Sequence, residues 1–382
     1  MDDIKSTFVR KRNNYYYVVV EYWDSTGKLK QKSIERYDKK KDADKHLLGL
    51  KFEISNNKYI APTEMTFVDR CYLYYDDKTK DFSPTTLKRS KGVINKHVKS
   101  FFKETKLTDV TISMYQRWIN NMYVDQELKA TTIKEILMKT NAVLRECYRL
   151  KEISENIPDF ITTPKRKDRK KEVDIFTCKE VEVFTKKESK QILSNSDSKP
   201  TLQVPLHLFL LAGLRFGEMA GLLWEDIDYE NKTLNIRHNL VYVNGEYFLR
   251  PTKTKETREI VVPNDLIKLL KKEELRQKKL KLEGLLKNEW PVVCINSKYR
   301  YWNNESFRLQ YIKYLDYIGI RYLNIHKLRH THATLLLLAG TDMKTVSERL
   351  GHADINITMN TYSHVLKEMD LKASKNIEKL LL

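Results

Sequence analysis

The pattern of apolar and polar positions is strand-like near the start of the chain and helical after it. Two β-forming runs, YYYVVVEYW and KLKQKSIERY, are joined by the turn sequence DSTG and predict a hairpin. Four apolar residues then recur at helical spacing: Ala43, Leu47, Leu50 and Ile54. We therefore expect a small domain of β-sheet and helix over residues 1–58.

Three lysines of the second run share one parity: Lys28, Lys30 and Lys32. Because alternate residues of a strand point to the same face, we expect their ammonium groups on one face of the sheet and the helix across the other. Such a face is either a DNA-binding surface or a charged edge that discourages strand pairing. The sequence leaves both interpretations open.

Residues 64–162 have helical periodicity throughout and predict a bundle of four helices with basic flanks. Ser83 and Pro84 are typical of an N-cap and a first helical turn. The helix that they start carries Lys88 and Arg89 on its outer side. We expect an all-α domain here.

A short basic segment, residues 163–173, follows the bundle. It contains TPKRKDRKK, in which Lys165 and Arg166 begin a run of positive charge. Such a run is a solvated linker or, between two basic domains, a contact to a phosphate backbone.

Residues 174–382 predict an α+β domain that is mainly helical with a three-stranded sheet. The strand-like runs are LNIRHNLVYV, YFLRPTK and REIVVP, and Asn244-Gly245 between the first two is a strong hairpin signal. A C-terminal tail from about residue 363 carries an apolar stripe that includes Val365. The chain is therefore expected to be multidomain.

Composition narrows the class of protein. The 382 residues are 41% hydrophobic, enough for several cores, and 70 Lys plus Arg against 51 Asp plus Glu leave a net charge of +19. This balance favours a folded protein with a polyanionic partner. The four cysteines lack metal-ligand spacing, and the chain shows neither a signal peptide nor a membrane-length apolar run. We expect a cytoplasmic protein without membrane contacts.

Candidate chemistry is concentrated in four short motifs of the last domain: GLRFGE, HKLRHTHAT, LGH and TYSHV. In the second motif, His326 and Arg329 stand three apart on a predicted helix and project from the same face, which suits a phosphate. His326 and His330 also have a zinc-ligand spacing. The Glu of an HExxH motif and a nearby acidic ligand are missing, so we expect no metal site.

Six residues in these motifs and in the segment between them form an ordered set: Arg215, Lys253, His326, Arg329, His352 and Tyr362. In this set the chain resembles the tyrosine recombinase (phage integrase) family, and in particular the integrases of phages and conjugative transposons. Residues 1–58 look like the family's arm-type DNA-binding domain, and residues 64–162 look like its core-binding domain. The resemblance implies a site-specific recombinase that integrates and excises a mobile element.

The resemblance also implies partners. They are double-stranded DNA with core and arm attachment sites, further copies of the chain in a homo-tetramer on DNA, an excisionase and a host DNA-bending protein. Neither a metal ion nor another cofactor is implied. In the family the C-terminal tail packs on a neighbouring protomer, whereas an ordinary C-terminal helix packs within its own chain, and the sequence does not decide between them.

The resemblance assigns a role to each residue of the set. Tyr362 is the nucleophile, which forms a 3′-phosphotyrosyl link on the way to a Holliday junction. Arg215 and Arg329 bind the non-bridging phosphate oxygens in a bidentate manner that lysine cannot supply. His326 takes part in proton transfer to or from the tyrosine, and His352 hydrogen-bonds a non-bridging oxygen.

The remaining assignments concern the leaving group and the supporting residues. Lys253 matches the family's general acid, and Lys255 is its rival and otherwise a contact to the DNA backbone. Glu218 is expected to orient neighbouring groups. His330 and His332 are expected to pack and to support their helix.

A non-catalytic DNA-binding regulator of the helix-turn-helix type is the alternative from a different class. The segment TDMKTVSERLGHADINITMNTYSHV reads as helix, glycine turn and helix, with a capping box from Thr345 to Glu348. A regulator has no use for the six ordered residues. A type IB topoisomerase shares the chemistry, but the arm-like N-terminal domain argues against it.

Overall fold

The chain folds into two compact units, Met1–Arg169 and Lys170–Leu382, in the computed structural model. The structure describes residues 3–23, 27–55, 60, 63–164, 182–252, 257–363, 365 and 378. Four residues that the sequence predicts to contact DNA or to act in catalysis lie outside the described residues: Lys165, Arg166, Lys253 and Lys255.

The first unit begins with a three-stranded antiparallel sheet in the order β1-β2-β3. The strands are β1 (Asp3–Arg12), β2 (Tyr15–Trp23) and β3 (Leu29–Tyr37), and helix α1 (Lys40–Ser55) follows. The predicted hairpin of β2 and β3 and the predicted helix are confirmed. The apolar pattern does not predict β1, because its residues are mostly polar and form a strand through pairing with β2.

The register of β2 with β3 corrects the predicted position of the lysines. Lys30 lies opposite Tyr22 and Lys32 lies opposite Val20, and both partners belong to the apolar cluster that α1 completes. Directly opposed residues share a face, so Lys30 and Lys32 are on the helix side of the sheet, and the prediction of opposite faces is wrong for these two; Lys28 precedes β3. The cause is a register shift after Val18, which moves this half of β3 to the other face.

The rest of the first unit confirms the predicted helical bundle. Within residues 63–164, all of which are described, the four long helices are α2 (Phe67–Asp77), α3 (Pro84–Val93), α4 (Ile112–Val124) and α5 (Ala130–Arg149). The Ser83 hydroxyl accepts the backbone N–H of Thr86 at 3.2 Å, and Pro84 occupies the first turn of α3, as predicted. Tyr115 and Trp118 are fully buried in the core between the helices.

The second unit is mainly helical, with two small sheets among its described residues. Its strands are β4 (Ile227–Asp228), β5 (Thr233–Ile236), β6 (His238–Val243), β7 (Glu246–Pro251) and β8 (Arg258–Val261). A three-stranded sheet is present in the order β4-β5-β8, but its strands are not the predicted three. The run LNIRHNLVYV divides into β5 and β6, β4 takes the third place, and the YFLRPTK run forms β7, which pairs separately with β6. Asn244 and Gly245 join β6 to β7 with φ angles of 53° and 95°, the positive pair that a type I′ turn requires.

The helices of the second unit carry the candidate motifs near their ends. They are α6 (Lys186–Ser194), α7 (Pro200–His207), α8 (Phe216–Ala220), α9 (Asn264–Leu282), α10 (Asn304–Tyr317), α11 (Ile325–Leu338) and α12 (Met343–Leu350). Residues 208–212 continue α7 as a π turn, and residues 355–363 are also helical. Across the described part of the chain, no helix has the length and apolar character needed to cross a membrane.

Helix α12 begins earlier than the sequence predicts. Asp342 is its N-cap, and the Asp342 carboxylate accepts the backbone N–H of Thr345 at 2.9 Å. The predicted capping box from Thr345 to Glu348 is therefore wrong, because an aspartate three residues upstream is itself a strong N-cap. Thr345 lies inside the first turn of the helix.

Helix α8 approaches strand β6 through Gly217 and Gly221. A Cβ atom on Gly221 would lie 2.7 Å from the backbone nitrogen of Leu240 and 3.1 Å from the backbone carbon of Asn239. Such distances exclude a side chain at this position. Because Arg215 directly precedes α8, this contact fixes the backbone that carries its side chain.

Gly221→Ala is expected to destabilise the second unit by about 1–3 kcal/mol, because the new Cβ atom displaces the backbone of β6. Gly92→Ala is the matched control: a Cβ atom there meets nothing within 4 Å, and alanine in α3 stabilises a helix by up to about 1 kcal/mol. Urea unfolding followed by circular dichroism measures both changes. If Gly221→Ala were as stable as the wild type, the close approach of α8 to β6 would have no energetic role.

Candidate active site

A buried carboxylate at the start of α8 binds two arginines. Glu218 accepts the Arg215 backbone N–H at 2.9 Å and the Arg215 guanidinium at 2.7 Å. Arg258 on β8 donates to both oxygens of the same carboxylate, at 3.0 and 2.7 Å. Burial raises the pKa of Glu218, but the hydrogen bonds and charge of Arg258, followed by the charge of Arg215, outweigh it and lower that pKa to about 2. Glu218 is therefore ionised, and it orients both arginines as predicted.

A third arginine lies beside this pair in the interior. Arg329 on α11 is 2% exposed, and its Nη1 atom lies 3.9 Å from a carboxylate oxygen of Glu218. Nη1 also donates to the carbonyl oxygen of Gly213 at 2.8 Å. Burial and then the charge of Arg215 lower the pKa of Arg329 to about 9, so the guanidinium stays charged at neutral pH. The site thus gathers three guanidinium groups around one carboxylate.

Three consecutive carbonyl groups at the end of α12 each accept a hydrogen bond from a different arginine. The pairs are Arg349 with Arg258 at 3.0 Å, Leu350 with Arg329 at 2.5 Å, and Gly351 with Arg215 at 2.9 Å. The carboxyl end of a helix has unpaired carbonyl groups and partial negative charge, so it attracts cations. The first two residues of the LGH motif, together with the residue before it, therefore position all three arginines through their backbone carbonyl groups.

Two histidines of the predicted set lie next to the arginines. His326 lies one turn before Arg329, and part of its side chain is exposed to solvent. Partial desolvation of its ring by the surrounding groups, followed by the charges of Arg329 and Arg215, lowers its pKa. His352 follows α12, and its Nδ1 atom lies 2.8 Å from the hydroxyl of Thr358. Burial and then the charges of the neighbouring arginines lower the pKa of His352 to about 4. Both imidazoles are neutral at pH 7 in this environment.

Tyr362 is buried in an apolar cluster near the arginines. Its side chain is 1% exposed and packs with residues of α11 and α12, including Leu337 and Leu350, and with Val365. Burial raises the pKa of Tyr362 to about 12, although the charge of Arg329 opposes this effect. Since Val365 is buried in the same cluster, the start of the C-terminal tail packs within its own chain; the rest of the predicted stripe lies outside the described residues.

His330 makes a contact that the sequence does not predict. Its Nδ1 atom lies 2.7 Å from the hydroxyl oxygen of Tyr362. His332, by contrast, supports its helix as predicted, with Nδ1 2.8 Å from the carbonyl oxygen of Leu210 and Nε2 3.3 Å from Nε of Arg349. The spacing of four from His326 to His330 indicated a shared helix face, but only the folded chain brings residue 362 to that face.

The structure brings five of the six predicted catalytic residues together in the second unit: Arg215, His326, Arg329, His352 and Tyr362. Arg258 joins them through Glu218 and the carbonyl group of Arg349, although the sequence alone predicts no role for it. The predicted DNA-contacting residues Lys88 and Arg89 are exposed on α3 in the first unit. No group of three or more metal-ligating side chains is found among the described residues.

This arrangement suits chemistry at a phosphate ester. Guanidinium groups and neutral imidazoles bind phosphate oxygens, and a tyrosine hydroxyl forms a covalent phosphate ester when it is deprotonated during attack. The geometry is therefore that expected of an enzyme that transfers phosphoryl groups through a tyrosine.

Known sequences identify the class more closely. Residues 182–369 match the phage integrase family, residues 66–123 match the N-terminal SAM-like domain of phage integrases, and residues 8–54 match an arm DNA-binding domain. A protein of Caldanaerobacter subterraneus subsp. tengcongensis named tyrosine recombinase XerC-like is 30% identical over 99% of both chains. The ICEBs1 integrase of Bacillus subtilis is 21% identical over 87% of this chain and 88% of its own. The chain belongs to the phage integrase family of tyrosine recombinases, enzymes that cleave and rejoin DNA, which confirms the predicted family.

Solved structures share the fold. A Tn1549 transposon integrase bound to transposon right end DNA aligns with a TM-score of 0.62 at 19% identity, covering 83% of this chain and 100% of that one. A lambda integrase dimer bound to a core site aligns with a TM-score of 0.54 at 16% identity, covering 93% of each chain. The predicted multidomain fold, with a small sheet, a helical domain and a mainly helical catalytic domain, is confirmed.

The pKa of Glu218 predicts a pH-dependent stability. Because this pKa falls from 4.5 to about 2 on folding, ionised Glu218 stabilises the folded state by about 3 kcal/mol above pH 4.5, and this contribution is lost as the pH falls from about 4.5 towards 2. Urea unfolding at a series of pH values measures it. Glu218→Gln is expected to be about 3–5 kcal/mol less stable at pH 7 and to lack this part of the acid dependence.

The control for this prediction is Glu225→Gln. Glu225 is 66% exposed and pairs with Arg237 at 3.2 Å, so its loss is expected to change stability by less than about 1 kcal/mol. If Glu218→Gln lost stability in parallel with the wild type between pH 4.5 and 2, Glu218 would not be the group that titrates.

Proposed function

We propose that this recombinase is the integrase of a mobile element, which cuts and rejoins two DNA duplexes at specific sites through a 3′-phosphotyrosyl intermediate and a Holliday junction. The observation that carries the proposal is the arginine cluster. Arg215, Arg258 and Arg329 share the single buried carboxylate Glu218, so the cluster retains a net charge of about +2. A phosphodiester gains one further negative charge in its pentacoordinate transition state, which this excess charge matches.

The two proposed phosphate-binding arginines contribute differently. Arg215 is 37% exposed and presents its guanidinium to solvent, where a DNA backbone has access. Arg329 is buried, and each of its terminal nitrogens has a second N–H besides the one that binds a carbonyl group. We propose that Arg215 binds the non-bridging oxygens from the solvent side of the site. Arg329 would donate to the same oxygens from the protein interior. His352 supplies a further neutral donor.

The covalent step uses Tyr362. Its hydroxyl oxygen attacks the scissile phosphorus, the bond from phosphorus to the 5′ oxygen breaks, and the phosphotyrosyl ester preserves the bond energy for religation without ATP. The leaving 5′ oxygen needs a proton, for which we propose Lys253 with Lys255 as its rival. His326 remains the family-derived candidate for proton transfer. With two guanidinium groups and a lysine stabilising the charge, the proposed mechanism requires no metal ion.

We propose that DNA is held by all three domains. Residues 1–58 bind arm sites, residues 64–162 bind core sites, residues 163–173 link them along the backbone, and residues 174–382 perform catalysis, with a tail from about 363. The match of residues 8–54 to an arm DNA-binding domain supports the first assignment. A homo-tetramer on DNA, an excisionase and a host bending protein complete the proposed assembly.

The test of the proposal is a nicked suicide duplex that carries the junctions flanking the encoding element. Wild-type protein in EDTA is expected to give a protein-linked DNA band on a denaturing gel. Tyr362→Phe abolishes the band because the nucleophile is absent, and Arg215→Lys slows its formation by about 100-fold or more because lysine cannot bind two oxygens. Tyr317→Phe is the control, since this tyrosine is 68% exposed and the centroid of its ring lies 5.7 Å from Nζ of Lys199, which has no role in the proposed site.

Two results would contradict the proposal. A band that survives Tyr362→Phe would show a different nucleophile. Tight binding to the junctions without a band from the wild type would indicate a DNA-binding protein without this chemistry.

Salt dependence tests the proposed contacts of the first unit. Lys88 and Arg89 are exposed on α3, and removing two phosphate contacts is expected to reduce the slope of log K against log salt by about 1.8. Fluorescence anisotropy of a labelled core duplex with the double variant Lys88→Gln, Arg89→Gln measures this change. Lys268→Gln, at a lysine with 78% exposure outside the proposed core-binding domain, is the control and should leave the slope unchanged. An unchanged slope in the double variant would exclude this face of α3.

A further inference from the structure

The hydroxyl of Tyr362 is hydrogen-bonded to a histidine that has no assigned role. His330 lies on α11 directly after Arg329, and its Nδ1 atom is 2.7 Å from the Tyr362 oxygen, with the two ring planes at 62°. Both side chains are shielded from solvent, Tyr362 almost completely. A proton on the phenol therefore already has an imidazole nitrogen at hydrogen-bond distance.

The other histidines around the site are engaged elsewhere. His352 directs Nδ1 to the hydroxyl of Thr358, and His332 is bound on both ring nitrogens by Leu210 and Arg349. His326 lies one turn before His330, and its ring meets the His330 ring edge to face at 4.7 Å between centroids. In the described part of the chain, His330 provides the hydrogen bond to the Tyr362 oxygen.

We propose that His330 is a catalytic residue that accepts the phenolic proton of Tyr362 as the tyrosine attacks DNA. The inference rests on the proposed function, in which Tyr362 is the nucleophile. It gives His330 the step that the family resemblance assigned to His326, and it leaves His326 free to contact the phosphate.

The step balances as follows. The O–H bond of Tyr362 breaks and its proton moves to Nδ1 of His330, while the tyrosine oxygen forms a bond to phosphorus. The bond from phosphorus to the 5′ oxygen breaks, and the separate general acid protonates that oxygen. In religation the 5′ hydroxyl attacks the phosphotyrosyl ester, and His330 returns its proton to the departing phenolate.

The charges around His330 keep it ready for this step. His326, Lys327 and Arg329 on its own helix, and His352 and Tyr362 on the packed segments, are the titratable and charged groups that face it. Burial and then the neighbouring His326 and cations lower the pKa of His330 to about 4, so at neutral pH it is an unprotonated acceptor. A bound phosphate anion offsets these cations, which raises the proton affinity of the imidazole when DNA is in place.

His330→Asn separates proton acceptance from positioning. The asparagine oxygen reaches about the same place as Nδ1 and accepts the phenolic hydrogen bond, but it does not take up a proton. We expect covalent-complex formation on the suicide duplex to slow by about 100-fold or more, with DNA binding unchanged. His207→Asn is the matched control, because this partly buried histidine also uses Nδ1, towards the Gln203 carbonyl at 2.9 Å, and lies outside the site.

A second substrate shows whether a variant fails to deprotonate the tyrosine or fails to protonate the leaving group. A duplex with a bridging 5′-phosphorothiolate has a thiolate leaving group that needs no protonation, so it is expected to rescue Lys253→Ala and not His330→Asn. If His330→Asn folds poorly, His330→Ala with added imidazole provides the same test, since free imidazole in the vacated space is expected to restore cleavage.

The outcomes are distinguishable. Cleavage by His330→Asn within about threefold of the wild type would overturn the inference and leave the nucleophile assignment intact. Rescue of His330→Asn by the phosphorothiolate would also overturn it, because His330 would then act on the leaving group. A wild-type protein without a covalent band, or a band in Tyr362→Phe, would instead overturn the proposed function and the inference with it.

Discussion

The candidate site depends on the hydrogen bonds between three arginines and the backbone carbonyl groups at the end of α12. Arg349, Leu350 and Gly351 offer three oxygens that have no partner within their helix, and each one binds a guanidinium from a different element. The start of α8, the strand β8 and the helix α11 are thereby all held at the end of α12. Since residues 355–363 follow within a few positions, the same point also sets where the tyrosine helix begins.

This contact explains why the second residue of the LGH motif is glycine. Gly351 has φ of +64°, a left-handed conformation that ends α12, and a Cβ atom there would lie 2.9–3.1 Å from the side chain of Arg258. An alanine would strain the backbone and displace an arginine at the same time. Gly213, with φ of +67°, has the matching role at the end of the π turn, where its carbonyl oxygen accepts Arg329. Two glycines in the left-handed conformation thus direct backbone carbonyl groups at helix ends towards the arginines.

Much of the fold follows from local patterns, and most of the site follows from ordered motifs. The hairpin turn at Asn244-Gly245 and the cap at Ser83 depend on neighbouring residues, so the sequence predicts them. The lysine face of β3 depends on a register shift at Ile34, which lies between the pairs Ser33–Val19 and Glu35–Val18, and the alternation of residues along β3 does not reveal this shift. The contact of His330 with Tyr362 joins residues 32 positions apart. Spacing identifies the helix face of His330, but not the partner that tertiary packing brings to it.

The charge balance of the site connects substrate binding with proton transfer. Without DNA, the excess positive charge and burial keep His330 and His352 unprotonated, and burial keeps the phenol of Tyr362 protonated. The phenol therefore stays protonated beside an imidazole that is able to accept its proton. A phosphate placed among the arginines neutralises the excess charge, so the imidazoles become better proton acceptors at the same moment that the phosphorus comes within reach. The anion that is to be cleaved therefore supplies the charge that completes the site, and a tyrosine buried among apolar side chains is protected from unproductive ionisation until then.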